Sequence, residues 1–215
     1  MEGESRWYIV SRVNAKDEAL KMGRGRPEKR LIEHAENFPN CSDPEFGTVF
    51  LNKFVKEGAS LTDAELKEWS VEYDWAKIRL DGGRRRFSYT GASKAHRLSD
   101  GPFIFRLCKN GTEMARVAFD AIEGGIRIVQ IQAKKGVRET LLPIKWERAL
   151  IAYACRWAEE WGLEKVEIRS AKNNPLTDPK HLPYERARVI YDVSAKRSGF
   201  RLNEEENWVK YLGAA

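Results

Sequence analysis

Between residues 144 and 161 the apolar positions Trp146, Ala149, Leu150, Tyr153, Ala154, Trp157, Ala158 and Trp161 fall three and four residues apart. That is the repeat of one face of an α-helix. Gly162 stands directly after the last of them, where a left-handed C-cap residue is expected. The segment Leu163-Glu-Lys-Val-Glu-Ile-Arg169 follows without a linker and reads as a strand. A helix with so broad an apolar stripe has to bury it. Turned this sharply into a strand, it does so by packing across the sheet that the strand joins.

The segments on either side fit a sheet. Residues 102–108 read as a strand, Lys109-Asn-Gly111 as a hairpin turn, residues 114–119 as the return strand and 126–133 as a third strand after Gly124-Gly125. After the 163–169 strand comes a polar loop with Asn173, Asn174 and three prolines. An amphipathic helix over 184–198 follows, then strands beginning at 199 and at 208 around a turn at 203–207. The first hundred residues read differently. A β-rich segment at 6–13 is followed by expected helices at 27–38, at 44–56, and from the capping box Thr62-Asp-Ala-Glu65 onward. Leu66, Trp69, Tyr73 and Ala76 would form the apolar face of that last helix, with an irregular basic connection over 81–101.

Composition narrows the class. The chain has 215 residues, 42% apolar and 33% charged, which suits a globular domain and not a disordered chain. No apolar run reaches the roughly 18 residues of a membrane span. The start Met-Glu-Gly-Glu-Ser lacks the basic and apolar regions of a secretory signal, so a cytoplasmic location is expected. Cys41, Cys108 and Cys155 are widely spaced and odd in number, and His34, His96 and His181 are scattered. Neither a disulfide framework nor a metal site is expected. The net charge of +6 is concentrated locally: Arg84, Arg85, Arg86, Lys94 and Arg97 occur without an acid between 82 and 99, and Lys134, Lys135, Arg138, Lys145 and Arg148 crowd 134–148. A basic cluster of this kind suits a phosphate-bearing cofactor or a nucleic acid, or is simply a solvated face.

The order strand, strand, strand, helix, strand, helix, strand, strand resembles that of the GNAT superfamily of acyl-CoA N-acyltransferases. Two local features carry the resemblance: Trp157-Ala-Glu-Glu-Trp-Gly162 running into Val166-Glu-Ile168, and the Ser198-Gly199-Phe200 step after a helix. The resemblance implies an α+β fold of the α/β/α sandwich type: a GNAT-like mixed, mainly antiparallel sheet flanked by helices. All 215 residues would form one domain, with a helix-rich part over 1–100 and the core sheet with two helices over 101–215.

It also implies an acyl-CoA cofactor, such as acetyl-CoA, and an amine acceptor. Coenzyme A would lie along the strand carrying Val129 and Ile131 and at the start of the following helix, where backbone amides and the helix dipole suit a pyrophosphate. The family's loop is Gln/Arg-x-x-Gly-x-Gly/Ala. Here Gln132-Ala-Lys-Lys-Gly136 is one residue too long, and no second glycine or alanine follows. Lys134, Lys135, Arg138 and Lys145 could offset lost amide contacts with charge. The family's thiolate-protonating tyrosine would fall on Ala195. Tyr191, one helical turn earlier, or the hydroxyl of Ser194 could substitute, though Tyr191 also reads as a core aromatic. Asn173 resembles the family's asparagine near the cofactor, or is a turn residue. Glu123 and Glu167 are candidates for the base that deprotonates the amine, though each also reads as a surface carboxylate.

A nucleic-acid-binding or DNA-modifying protein built on the same fold is the alternative. Arg24-Gly-Arg26-Pro27 matches the core of an AT-hook, which lies in the narrow minor groove of A·T-rich DNA. Arg84-Arg85-Arg86-Phe87-Ser-Tyr89 interleaves arginines with aromatics as single-strand DNA or RNA surfaces do, or forms a strand with one exposed face.

Overall fold

Asn110 and Gly111 both take left-handed backbone angles, φ 49° and 69°. A two-residue turn of this kind matches the twist of the strands it joins. It closes the hairpin of β3 (Phe103–Lys109) and β4 (Thr112–Ile122), and a second tight turn leads into β5 (Gly125–Ala133). This is the meander expected from the sequence. The computed structural model describes residues 45–81, 84–89, 101–175, 177 and 182–213. The expected strand at 6–13 and helix at 27–38, and with them Arg24 and Arg26, lie outside the described residues.

The helix that should follow the Thr62 capping box is short. Its cap forms as expected: the Glu65 amide donates to Thr62 Oγ1 at 3.2 Å and the Thr62 amide to Glu65 Oε2 at 2.8 Å. The helix, α1, nevertheless covers only Asp63–Lys67, and the chain then becomes a 13-residue strand, β1 (Trp69–Asp81). Trp69 and Tyr73 are buried by alternation with Ser70 and Glu72, and Val71 is buried between them. They do not form a helical face. Hydrogen bonding to β3, in register from Trp69↔Lys109 to Trp75↔Phe103, decides between the two periodicities. β2 (Arg84–Tyr89) pairs back on β1, so part of the expected irregular connection is also a strand. The expected helix at 44–56 is a π-helical turn, Phe46–Phe50, followed by a 3₁₀ turn, Leu51–Phe54.

One eight-stranded sheet runs in the order β2-β1-β3-β4-β5-β6-β8-β7, where β6 is Lys165–Ile168, β7 Arg201–Leu202 and β8 Trp208–Tyr211. Every pair is antiparallel except β5–β6. The architecture is therefore mixed α+β with a mainly antiparallel sheet. After the short α2 (Arg138–Leu141), α3 (Trp146–Glu160) supplies the stripe read from the sequence. Trp157 meets Phe105 at 5.3 Å, Tyr73 at 5.6 Å and Phe119 at 5.8 Å between ring centroids, and Tyr153 meets Phe105 at 5.2 Å and Phe46 at 5.5 Å. Burying aromatics of this size contributes about 2–3 kcal/mol each.

The last helical segment is α4 (Tyr184–Arg188), a π-helical turn (Val189–Val193) and α5 (Ser194–Arg197), end to end. Ala187, Tyr191 and Ala195 join the same core as α3. Both long helical runs end alike. Gly162 (φ 64°) and Gly199 (φ 83°) are left-handed, Leu163 N–H reaches back to the Ala158 carbonyl at 2.9 Å, and Phe200 N–H to that of Ala195 at 3.1 Å. This is the six-to-one bond of a Schellman cap, and it aims each following strand back at the sheet.

Candidate active site

The parallel pair β5–β6 does not run its full length. It holds from Gly125↔Lys165 to Ile128↔Ile168, and Arg169 N–H adds a last bond to the Ile128 carbonyl at 3.0 Å. Beyond that the strands part, for reasons that can be named on each side. On β5, Ala118 of β4 pairs with Gln130 and Phe119 with Ile128, so Val129 is an extra residue. This β-bulge bends the strand and resets which amides face which neighbour. On the other side the chain leaving β6 is taken by different acceptors. Ser170 N–H donates to Asn207 Oδ1 at 3.4 Å and Ala171 N–H to Asp192 Oδ1 at 3.0 Å.

The π-helical turn Val189–Val193 lies at this opening. Tyr191 is 1% exposed, and its hydroxyl oxygen accepts the Ile131 N–H of β5 at 3.1 Å. Its neighbour Asp192 accepts from Ala171 N–H and, at 2.8 Å, from Trp208 Nε1 of β8. Two consecutive side chains thus reach the two strands that part. A π turn displaces a carbonyl from the regular ladder, and Ser194 Oγ lies 3.4 Å from the Val189 carbonyl as its donor.

The other residues singled out in the sequence lie at very different distances from this opening. Ile131 contributes its amide. Val129 is the bulge residue, and its side chain joins Ile104 and Ala118 in a small apolar cluster separate from the main core. Lys134, Lys135 and Gly136 are exposed in the turn after β5, where Lys134 N–H continues the β4 pairing to the Met114 carbonyl at 2.8 Å. Arg138 is exposed at the start of α2. Lys145 immediately precedes α3, and its amide donates to the Phe54 carbonyl at 2.8 Å. Asn173 Nδ2 is held by the Glu205 carbonyl at 2.7 Å and Asn207 Oδ1 at 3.2 Å, which ties its side chain to the β7–β8 turn. Glu123 is exposed in the β4–β5 turn. From the start of β5 beside that turn, strand rise puts Ile131 about 20 Å away, so the structure does not bring Glu123 to Tyr191. Arg84, Arg85 and Arg86 lie on β2, the outermost strand at that side of the sheet, opposite Asp81, Leu80 and Arg79.

Glu167 faces Arg127 and Lys165, with N···O distances of 2.8 and 3.0 Å. Burial alone would raise its pKa, but the hydrogen bonds from Lys165 and Arg127 outweigh it and hold the carboxyl below its ordinary value. Glu147, in the first turn of α3, is shifted the other way. Burial raises its pKa against the opposing pull of its own backbone amide and of Lys56. Burial also pushes the Cys108 and Cys155 thiols up to about 12 and about 11, which leaves both unreactive.

No sequence pattern marks Asp192 or Glu147. A lone acid in an amphipathic helix looks like any solvated position. The π turn that swings Asp192 toward β6 has no local signature.

No protein-family model matches the sequence, and no curated protein matches it. Several solved structures are similar. Ard1 from Thermoplasma volcanium is 13% identical with a TM-score of 0.34, over 51% of this chain and 70% of that one. The ribosomal-protein-S18-alanine N-acetyltransferase from Escherichia coli is 13% identical with a TM-score of 0.35, over 52% and 70%. A protein described as a streptothricin acetyltransferase from Bacillus anthracis str. Ames, in complex with acetyl coenzyme A, is 14% identical with a TM-score of 0.33, over 71% and 96%.

Proposed function

We propose that this chain is an acyl-CoA-dependent N-acyltransferase that passes an acyl group, such as acetyl, to an amine. The observation that carries the reading is the parting of β5 and β6 beside the Val129 bulge. It turns the Ile131 amide of β5 toward a tyrosine hydroxyl instead of a neighbouring strand. An extended ligand with amides of its own, as a pantetheine arm has, can add to such a strand edge in β fashion.

The residues present fit the two ends of that cofactor unequally. The β5 edge fits the pantetheine arm, with the Ile131 N–H as a donor for a carbonyl oxygen. The start of α3 does not fit a pyrophosphate as it stands. Lys145 N–H is bonded to the Phe54 carbonyl, and the acidic Glu147 stands in the first turn, where it would repel a phosphate. No role is derived for that end. Lys134, Lys135 and Arg138, all exposed in the preceding segment, are the groups whose charge suits phosphates.

The bound thioester supplies an activated carbonyl. Against it the Ile131 amide acts as a fixed donor for the carbonyl oxygen, where negative charge grows as the amine attacks. In the free chain the Tyr191 hydroxyl accepts from that amide at 3.1 Å, a bond that the ligand's carbonyl oxygen would replace. In this reading the Tyr191 phenol would give a proton to the departing thiolate and the proton lost by the attacking amine would pass to solvent, which balances the exchange without an oxidant or reductant.

Thermal unfolding with acetyl-CoA tests this. Ligand at about a hundred times its dissociation constant adds about 2.7 kcal/mol to stability, so the melting temperature should rise with concentration. An unchanged melting temperature up to millimolar acetyl-CoA overturns the reading.

A further inference from the structure

We infer that Asp192 is a positioning residue of this site, setting both the width of the opening between β5 and β6 and the place of the Tyr191 hydroxyl within it. The inference rests on the acyltransferase reading for its function, but its structural part stands alone. One carboxylate oxygen of Asp192 accepts the Ala171 N–H at 3.0 Å and the Trp208 indole N–H at 2.8 Å. The first of these amides belongs to the chain just after β6, and the second donor to β8, the next strand over. Residue 191, adjacent in the chain, bonds to β5 at Ile131. The turn Val189–Val193 is therefore a wedge with one side chain on each diverging strand. Any displacement of its β6 anchor moves its β5 contact.

Three independent features point the same way. Aspartate is among the less favourable residues inside a helix, so its place here needs a tertiary reason. The turn is π-helical, a local departure that costs regular hydrogen bonds and recurs at functional sites. The Ala171 amide would otherwise be free to continue pairing along β5, and Asp192 removes it from that ladder. Bonds from two N–H donors to one carboxylate are charge-assisted and about twice as strong as neutral ones.

The test is amide hydrogen exchange on the full chain as wild type, Asp192→Ala and Asp192→Asn, with acetyl-CoA binding measured on the same three proteins. Asparagine keeps an Oδ1 that can accept both bonds, and alanine keeps none. Exchange of the Ile131 amide should rise about tenfold in Asp192→Ala relative to the Leu150 amide in α3, which reports global opening. In Asp192→Asn it should stay within about twofold of wild type. Acetyl-CoA affinity should fall about tenfold in the alanine variant, where nothing holds the two strands apart for the ligand, unlike a loss of the Tyr191 hydroxyl alone, and be restored in the asparagine variant. If Ile131 and Leu150 rise together, or if asparagine behaves as alanine, Asp192 is only a stability residue and the inference fails. If wild type binds no acetyl-CoA while the exchange pattern appears as expected, the acyltransferase reading falls and the wedge stands.

Discussion

Tyr191→Phe removes one oxygen from the centre of the site and nothing else. In the free chain that oxygen accepts the Ile131 N–H at 3.1 Å, in a side chain 1% exposed, so no water replaces it without rearrangement. Phenylalanine keeps the ring packing. The cost is therefore that of a buried donor left unpaired, about 1–3 kcal/mol. In a chain of this length each kcal/mol lowers the melting temperature by about 2–4 °C. The variant should melt at least about 2 °C lower, and up to about 12 °C lower.

With acetyl-CoA the expectation reverses. If a carbonyl of the ligand takes the Ile131 amide, wild type must first give up its tyrosine bond and the variant has none to give up. A difference of about 1–2 kcal/mol makes the variant bind about five- to thirtyfold tighter. Its turnover should nevertheless drop by about a hundredfold, because the acid for the leaving thiolate is gone. Paired thermal scans, calorimetric titration and a thiol-release assay measure the three effects. A variant that melts with wild type would refute the buried bond. Weaker binding would refute the exchange of tyrosine for ligand at Ile131.

Two other substitutions probe the frame around the site. A Cβ at Gly125 would overlap the Lys165 carbonyl oxygen where β5 and β6 begin to pair. Gly125→Ala should therefore destabilise by about 1–3 kcal/mol in denaturant titration, and unchanged stability would contradict that close approach. Glu167 has its pKa lowered in the folded chain by Lys165 and Arg127 in spite of burial. Its contribution is thus present above the unfolded carboxylate range and is lost as the pH falls through the folded value. Glu167→Gln should lower the melting temperature near neutral pH, with the gap closing in acid. A gap of equal size at about pH 7 and about pH 2 would rule out the ion pairs as its cause.

Much of the C-terminal half is legible residue by residue. The Trp146-to-Trp161 stripe, Gly162 as a left-handed cap and the Asn110-Gly111 turn are local signals, and each forms where its chemistry puts it, whereas Gly199, read as the start of a strand, is a left-handed cap and the strand begins at Arg201. β1 shows the limit of such reading. Leu66, Trp69 and Tyr73 fit a helical step, while Trp69, Val71 and Tyr73 fit an alternation, and the same residues satisfy both. Only the hydrogen-bonding edge of β3 distinguishes them.

The site divides in the same way. Tyr191 is recognisable as an aromatic near the last helical step. Its partner is a backbone amide, and any residue but proline supplies one. That the amide of Ile131 and not of Gln130 faces the opening depends on the bulge at Val129, a matter of register with β4. Asp192 is an ordinary acid until a π turn aims it at the chain leaving β6.

The sequence by itself determines the order of helices and strands in this half, because side-chain periodicity, capping and turn conformations act over a few neighbouring residues. The tertiary structure alone decides where β5 and β6 part and what fills the gap. That outcome rests on which backbone donors are left after every strand has found its partner, and such an inventory closes only when the whole sheet is assembled.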